Sequence, residues 1–261
     1  MLQSASAETV FGLLADGLTL SVSIALDMNA FTDSLLTAMA LIRTWDPSLG
    51  SVVMRSLGVS TCACMIALVL GVSAGACLGV GRFRGQSLVV GVLNTLLALP
   101  SVVVGLVVYL LLSRSGPLGF LSWLFTFKAM VLAQTVLLLP LVTALTRQIV
   151  QDVEQDHGEQ WQSLGVGPWL RAVLLAWDER HALATVAATA FGRAIAEVGA
   201  VMIVGGNIEG FTRVMTTSIA LETSKGDLPL ALGLGLVLLA VVGALHAVLG
   251  FWRWRSARRV Q

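Results

Sequence analysis

An arginine and a glutamate stand inside one of the apolar stretches of the sequence. Arg193 and Glu197 lie four positions apart within residues 182–205, so on a helix they share one face. A charge in apolar surroundings is costly unless it is paired or lines an aqueous cavity. The spacing therefore predicts either a mutually neutralising pair that stiffens the helix or two side chains that contact a solute, and we favour the pair.

Polar residues cluster directly after this stretch, in the segment "GGNIEGFTRVMTTSIALETSKGD" at residues 205–227. The segment offers hydroxyl donors, an amide and a guanidinium, a set suited to a tetrahedral dianion. The pattern is equally compatible with a solvated re-entrant loop that contacts another protein. A permeation site must release what it binds, so high affinity is not expected here.

The other residues capable of chemistry form no constellation. His157, His181 and His246 have no nucleophile partner at a useful spacing, and the three cysteines show no metal-ligand or disulfide pattern. The phosphate-binding pattern G-x-x-x-x-G-K-[ST] does not occur, and "GVGRFRGQ" lacks the spacing and the βαβ context of a dinucleotide fingerprint. The sequence predicts no catalytic residue, no metal site and no cofactor in this chain.

The composition is typical of a membrane protein. Hydrophobic residues make up 56% of the 261 residues and charged residues 12%, which is roughly half the charged share of a soluble domain. Several runs without Asp, Glu, Lys or Arg are long enough to cross a bilayer. The chain is therefore predicted to be an all-α polytopic membrane protein with five spans, at about 56–80, 87–112, 129–147, 182–204 and 229–252.

The charges also predict an orientation and exclude one partner. With a cytoplasmic C-terminus, nine basic residues lie on the cytoplasmic side and six on the other. The short loop with Arg82 and Arg84 and the basic tail at residues 256–261 are segments that orient a chain. A net charge of +1 without a basic run gives no reason to expect nucleic acid binding.

Two predicted spans contain a proline deep inside, in "LALPSVVVG" and "LLLPLVTAL". Proline removes a backbone donor and clashes with the preceding turn, so each helix should kink or unwind there. The bends either shape the bundle or lie beside a solute path. The candidates for that path are Pro100, Arg193, Glu197, Asn207, Thr212, Arg213, Thr216 and Thr217.

The longest predicted cytoplasmic segment, residues 148–180, is a structured pair of helices. Residues 151–164 form a polar helix, Gly165 and Gly167 break the backbone, and Pro168 suits the first turn of a second helix with an apolar face. Two uses remain open. The segment either folds back on the bundle as an interfacial cap or docks onto a separate soluble protein.

Three stretches resemble one family of membrane proteins. "EQWQSLG" at residues 159–165 resembles the E-A-A-x-x-x-G motif of ATP-binding cassette (ABC) importer permeases, with Gln and Trp in place of the two alanines. Residues 93–121 and 192–239 are similar to the tungstate-type permeases of the molybdate/tungstate importer group. The resemblance covers about residues 31–255.

This resemblance implies a type I ABC importer transmembrane domain over residues 31–255, in a bacterial or archaeal plasma membrane. It implies a homodimer of this chain surrounded by membrane lipid, two copies of an ATPase subunit that hydrolyses ATP, and an extracytoplasmic binding protein that delivers an oxyanion, tungstate above all. In the family the short motif contacts the ATPase. That role falls here on Glu159, Leu164, Gly165 and Gly167.

The start of the chain lies outside the resemblance. Residues 1–30 are predicted to be an extension that is disordered or interfacial, although they could add a sixth span. Apolar residues at helical spacing within residues 31–42 predict an interfacial amphipathic helix.

Two alternatives to the importer have weaker support in the sequence. An ATP-independent secondary transporter or channel is the main alternative. The structured cytoplasmic segment and the lack of a second inverted repeat argue against it. A membrane-embedded enzyme would need a catalytic pair within the bundle, and Arg193 with Glu197 is a poor one.

Overall fold

The computed structural model describes residues 47–81 and 83–257, with six isolated positions between 32 and 43. The predicted N-terminal extension, most of the interfacial helix and the last four residues of the tail lie outside the described residues. All secondary structure within the described residues is helical. Within residues 47–257, the described part of the chain contains nine α-helices: α1 Pro47–Val80, α2 Gln86–Leu97, α3 Ser101–Leu112, α4 Phe127–Ser163, α5 Pro168–Asp178, α6 Arg180–Ile195, α7 Gly199–Gly205, α8 Met215–Lys225 and α9 Leu228–Ala257.

The chain divides into two compact units. Among the described residues, one contains residues 47–218 and 238–257, and the other contains residues 219–237. Within the second unit, Lys225 pairs with Glu222 at 2.9 Å in the last turn of α8, and the carboxylate of Asp227 accepts the Leu230 amide in the first turn of α9. The Asp227 carboxylate thereby satisfies an amide at the start of α9 that lacks an intrahelical partner.

The first unit contains a hydrophobic core built from α1, α3, α4, α6 and α7. The most extensive helix packing in this core is between α1 and α4. Its side chains are mostly small, because helices in a membrane associate by close packing rather than by a hydrophobic driving force. Fully buried members include Ala63, Met130, Val142, Ala190 and Val204.

Three glycines spaced by four allow α1 to lie directly against α4. A Cβ on Gly71 would lie 2.8 Å from that of Val142, and one on Gly75 would lie 2.6 Å from the Thr143 carbonyl oxygen. One on Gly79 would lie 2.9 Å from the Cβ of Val150. Small residues at this spacing are typical of a close helix contact, and the structure identifies α4 as the partner.

Two of the predicted spans are broken helices. The α2–α3 pair bends by 100° at a break that contains Pro100, and the α6–α7 pair bends by 56° at residues 196–198. Pro100 has an extended backbone and precedes the first turn of α3, which fits its missing N–H and the restriction it places on Leu99. The break predicted at Pro100 is therefore confirmed, whereas that between α6 and α7 was not predicted.

Helix α4 is longer than the sequence suggested. It passes through Pro140 without interruption, so unwinding at a proline is confined to Pro100. The predicted polar helix at residues 151–164 is the continuation of α4 rather than a separate element. Apolar packing between α4 and α1 continues past Pro140 as far as Val150, which lies against Ala76 and Val80 of α1. This packing favours a continuous helix.

Three described helical stretches are long and apolar enough to cross a membrane: Leu49–Val80, Phe127–Asp156 and Leu228–Val248. Counting each bent pair as one span raises the number to five. A helix satisfies its own backbone groups in lipid, which explains why these apolar runs are helical. The described architecture agrees with an all-α polytopic membrane protein.

Candidate functional site

The two helix breaks meet. A Cβ on Gly199, the first residue of α7, would lie 2.7 Å from the side chain of Val102 in the first turn of α3. A Cβ on Gly105 would lie 2.7 Å from the Cα of Ala200. The starts of α3 and α7 are therefore in backbone contact. This places the break at Pro100 beside the one at residues 196–198.

Glu197 forms the centre of the α6–α7 break. Its carboxylate accepts the amide of Ala200 at 3.2 Å in the first turn of α7, and its own carbonyl accepts the hydroxyl of Thr216 at 2.8 Å. The residue is buried. A carboxylate at this place satisfies an amide that lacks an intrahelical partner and complements the helix dipole.

Arg193 lies on the last turn of α6 and reaches Glu197 only loosely. Their closest atoms, Nη2 and Oε2, are 4.0 Å apart, and the arginine side chain is 57% exposed while that of the glutamate is 5% exposed. Because the arginine is largely exposed and the two atoms lie at the distance limit of an ion pair, the pair contributes little. The bond to the α7 amide is the shorter of the two contacts of this carboxylate, and whether the pair stiffens the helix stays a prediction.

A small polar cavity adjoins the break. It has a volume of about 10 Å³, close to the smallest space that can hold one water molecule. The side-chain amide of Gln134 donates to the Ala194 carbonyl at 2.9 Å, while its buried oxygen has no hydrogen-bond partner. Polar residues around the cavity are Ser56, Ser60, Gln134, Glu197 and Thr216.

The segment between α7 and α8 is a tight polar loop. The hydroxyl of Thr212 donates to the Gly205 carbonyl at 2.6 Å and accepts the Ile208 amide at 2.9 Å. The hydroxyl of Thr217 bonds the backbone of Val214. Together with Thr216, these threonines are buried, and in this conformation their hydroxyls bind backbone groups.

The remaining polar residues of this loop are less completely bonded. Arg213 pairs with the exposed carboxylate of Glu209 at 3.4 Å, and its Nε is buried without a hydrogen-bond partner. Asn207 has a positive φ of 49°, a conformation that asparagine tolerates better than most residues. Its amide donates weakly to the Thr217 carbonyl at 3.4 Å, and its oxygen is buried without a partner.

Helix α1 holds this loop in place. The guanidinium of Arg55 donates to the carbonyls of Gly210 at 2.8 Å and Arg213 at 3.0 Å. The hydroxyl of Ser56 accepts the Met215 amide at 2.7 Å, at the start of α8. Bonds across 155 or more positions leave no local pattern in a sequence, so this role of Arg55 was not predicted.

At the opposite end of α1 and α4 lies the helical turn that carries the short motif. Gly165 has a φ of 71° and turns the chain after α4, and Gly167 precedes α5. Leu164 is 74% exposed at the tip. Glu159 lies on α4, and its side chain is outside the described residues. The turn therefore presents an accessible apolar residue between α4 and α5.

A buried ion pair fixes the two arms of this turn. Arg171 of α5 donates to the carboxylate of Glu154 on α4 at 2.6 Å, and both side chains are about nine-tenths buried. Neighbouring apolar residues, Ala172 and Leu175 on α5 and Val80 on α1, form a second small core. The pairing spans 17 positions, so helical spacing did not predict it.

The bent helix pairs and the long apolar helices are typical of a membrane transport subunit. Within the described ranges, no group of three or more His, Cys, Asp or Glu could hold a metal ion. Residues 67–261 match the family described as binding-protein-dependent transport system inner membrane component. The chain belongs to this family and is a permease subunit of an ABC transporter, which confirms the resemblance.

Several curated relatives are similar over most of their length. The chain is 41% identical over 222 residues to the tungstate uptake system permease protein TupB of Peptoclostridium acidaminophilum, covering 85% of this chain and 97% of the relative. It is 42% identical over 214 residues to the "Probable anion ABC transporter permease protein" of Haloferax volcanii, covering 80% and 92%. TupB of Campylobacter jejuni is 39% identical over 64% of this chain.

Proposed function

We propose that this chain forms the membrane path of an ATP-driven importer for tungstate. The observation that carries the proposal is the 41% identity to a permease named for tungstate uptake, over 97% of that relative's length. A similarity this extended includes both helix breaks and the loop between α7 and α8. An anion permease of comparable identity supports an oxyanion as the substrate class.

The proposed assembly contains two copies of this chain, two ATPase subunits and an extracytoplasmic binding protein. A symmetric pair can enclose a path at its two-fold axis more readily than the few spans of one chain. The C-terminus faces the cytoplasm in this arrangement, as the distribution of basic residues favours. The chain itself needs no cofactor, because the ATPase supplies the chemical step.

The turn after α4 is the proposed contact with the ATPase. Its candidate residues are Glu159, Leu164, Gly165 and Gly167. Support comes from the exposure of Leu164 and from the buried Arg171–Glu154 pair beneath it. A rigid turn transmits a displacement of the ATPase to α4, whereas a flexible loop would absorb it.

The proposed path passes the two helix breaks. Pro100, Arg193 and Glu197 lie at or next to these breaks, and Arg193 has the exposed charge among them. Asn207, Thr212, Arg213, Thr216 and Thr217 belong to the loop and the start of α8. Their hydrogen bonds favour a gating role for this segment, in which solute contact follows from movement of the whole loop.

Reconstitution tests the proposal directly. Proteoliposomes with the ATPase and the binding protein are supplied with tungstate, molybdate or sulfate, and uptake and ATP hydrolysis are measured. Tungstate should stimulate both at the lowest concentration. Stimulation by sulfate alone would overturn the substrate, and uptake without ATP would favour a secondary transporter or channel.

A matched pair of variants tests the docking site in the same vesicles. Leu164→Ala removes the exposed residue at the tip and should lower stimulated ATP hydrolysis several-fold. Leu170→Ala removes an exposed leucine of α5, 52% exposed, and should leave it unchanged. Equal effects of the two substitutions would place the ATPase contact elsewhere.

A further inference from the structure

An apolar groove lies between α1 and α5, separate from the turn and from the helix breaks. Its volume is about 690 Å³, within the range of sites that bind small molecules. One wall consists of α1 residues from Val72 to Cys77, and the other of α5 residues that include Val173 and Trp177. Arg180, the first residue of α6, lies at its rim.

The wall that α5 contributes to the groove is an exposed apolar surface. Trp169 and Trp177 are 67% and 73% exposed, and Val173 is half exposed. The only basic residue of the helix, Arg171, points inward to its buried ion pair. A contiguous apolar face of this kind marks a surface that contacts lipid or another protein.

The depth of the groove favours lipid. α1 ends at Val80, so at 1.5 Å per residue the groove residues of α1 lie roughly 5–12 Å inside its end. Arg180 begins the helix that leads back across the membrane. Tryptophans and a terminal arginine at this level are typical of a membrane–water interface.

The charges at the rim select the headgroup. Arg180 uses one of its five donors for the Trp177 carbonyl at 3.3 Å, and the others can bind a phosphate. Asp178 and Glu179 precede it in the chain, so the local net charge opposes an acidic headgroup. A phosphate beside an ammonium group matches this arrangement of opposite charges.

We propose that the groove holds one phospholipid with a phosphate and an ammonium in its headgroup, such as phosphatidylethanolamine. An acyl chain occupies the space between α1 and α5, and the phosphate binds Arg180. The lipid belongs to the leaflet on the side of the turn after α4. This inference rests on membrane residence and goes beyond the transport function, because it is independent of the solute.

Photo-cross-linking of the full chain in lipid nanodiscs tests this proposal. The discs contain phosphatidylethanolamine and phosphatidylglycerol, with a trace of phosphatidylethanolamine that carries a photoreactive acyl chain. Adducts should map to residues 72–77 and 169–177. In a second set of discs, phosphatidylglycerol replaces all phosphatidylethanolamine, and the photoreactive acyl chain is carried by phosphatidylglycerol. The adduct yield should then fall several-fold. An equal or higher yield would overturn the headgroup assignment.

Two matched pairs of variants locate the lipid. Val173→Trp fills the groove and should lower adduct yield several-fold, whereas Leu170→Trp adds the same ring on α5 outside the groove and should not. Arg180→Gln should lower the yield, and Arg84→Gln should not. Equal yields within either pair would overturn the site.

A photoreactive residue at position 173 identifies any competing occupant. Capture of phospholipid supports the proposal. Capture of residues 1–46, of a second copy or of the ATPase would overturn it. Because occupancy is read without solute or ATP, failure of tungstate-stimulated hydrolysis leaves the outcome unaffected.

Discussion

Single residues at the helix breaks satisfy backbone groups that the breaks leave open. Glu197 binds an amide of α7 through its carboxylate and the Thr216 hydroxyl through its carbonyl. Arg55 binds two carbonyls of the loop between α7 and α8. An unsatisfied backbone group in the bilayer core costs several kcal/mol of free energy. These side chains therefore make the irregular backbone tolerable.

Substitution of Glu197 separates its two contacts. Glu197→Gln keeps an acceptor for the Ala200 amide but removes the charge that faces Arg193, so we expect a thermal stability near that of the native chain. Glu197→Ala leaves the amide unsatisfied and should cost about 1–3 kcal/mol. Thermal unfolding of the purified chain measures both.

The paired control is Arg193→Ala, which removes the ion pair and keeps the carboxylate. It should be as mild as Glu197→Gln if the bond to α7 dominates. Equal damage by Glu197→Gln and Glu197→Ala, together with damage by Arg193→Ala, would instead support the neutralising pair that the sequence favours.

For single residues, the sequence predicted which side chains need partners but not which partners they find. The cost of a buried charge identified Glu197 as a residue that needs a partner. The threonines were selected as candidates for solute contact, and that role stays a prediction. Arg55, Gln134 and the Arg171–Glu154 pair were missed, because their bonds join residues 17 to 158 positions apart. Such contacts depend on the tertiary packing of helices, which periodicity does not encode.

At the scale of elements, apolar runs predicted the helices well and the breaks incompletely. Pro100 marks a break by its chemistry, whereas Pro140 lies in a helix that remains continuous. The α6–α7 break has no proline, and it is stabilised by Glu197 and by Thr216 from α8. A proline therefore permits a break, but the surrounding packing decides whether one forms.

The glycine contact between α1 and α4 gives a prediction at this scale. Gly75→Ala would place a Cβ 2.6 Å from the Thr143 carbonyl and 2.7 Å from the Cβ of Thr146, so the helices must separate. Overpacking of this kind costs about 1–3 kcal/mol. Thermal unfolding and the yield of folded chain in detergent measure the loss.

Gly91→Ala is the matched control. Gly91 lies within α2, and a Cβ there meets nothing within 4 Å. The substitution should be neutral or stabilise the helix by up to about 1 kcal/mol. Equal stability of the two variants would show that α1 and α4 are not held at the observed separation.

At the scale of the whole molecule, the α1–α4 pair connects the two candidate functional regions. One end joins α5 through Val80, Ala172 and Leu175. The other end joins the loop between α7 and α8 through Arg55 and Ser56. Under the proposed function, displacement of the turn after α4 reaches the opposite side of the membrane through this rigid pair, provided that α5 stays attached to α4.

Attachment of α5 depends on the buried ion pair, and this gives the last prediction. Arg171→Met leaves Glu154 buried and unpaired, which should cost about 3–5 kcal/mol and abolish stimulated ATP hydrolysis in the reconstituted complex. The double variant Glu154→Leu with Arg171→Met replaces the pair by apolar contacts and should restore both. Lys225→Met breaks a partly exposed pair and should cost no more than about 1 kcal/mol. A stable double variant without stimulation would assign the two charges themselves, rather than the rigidity they confer, to coupling.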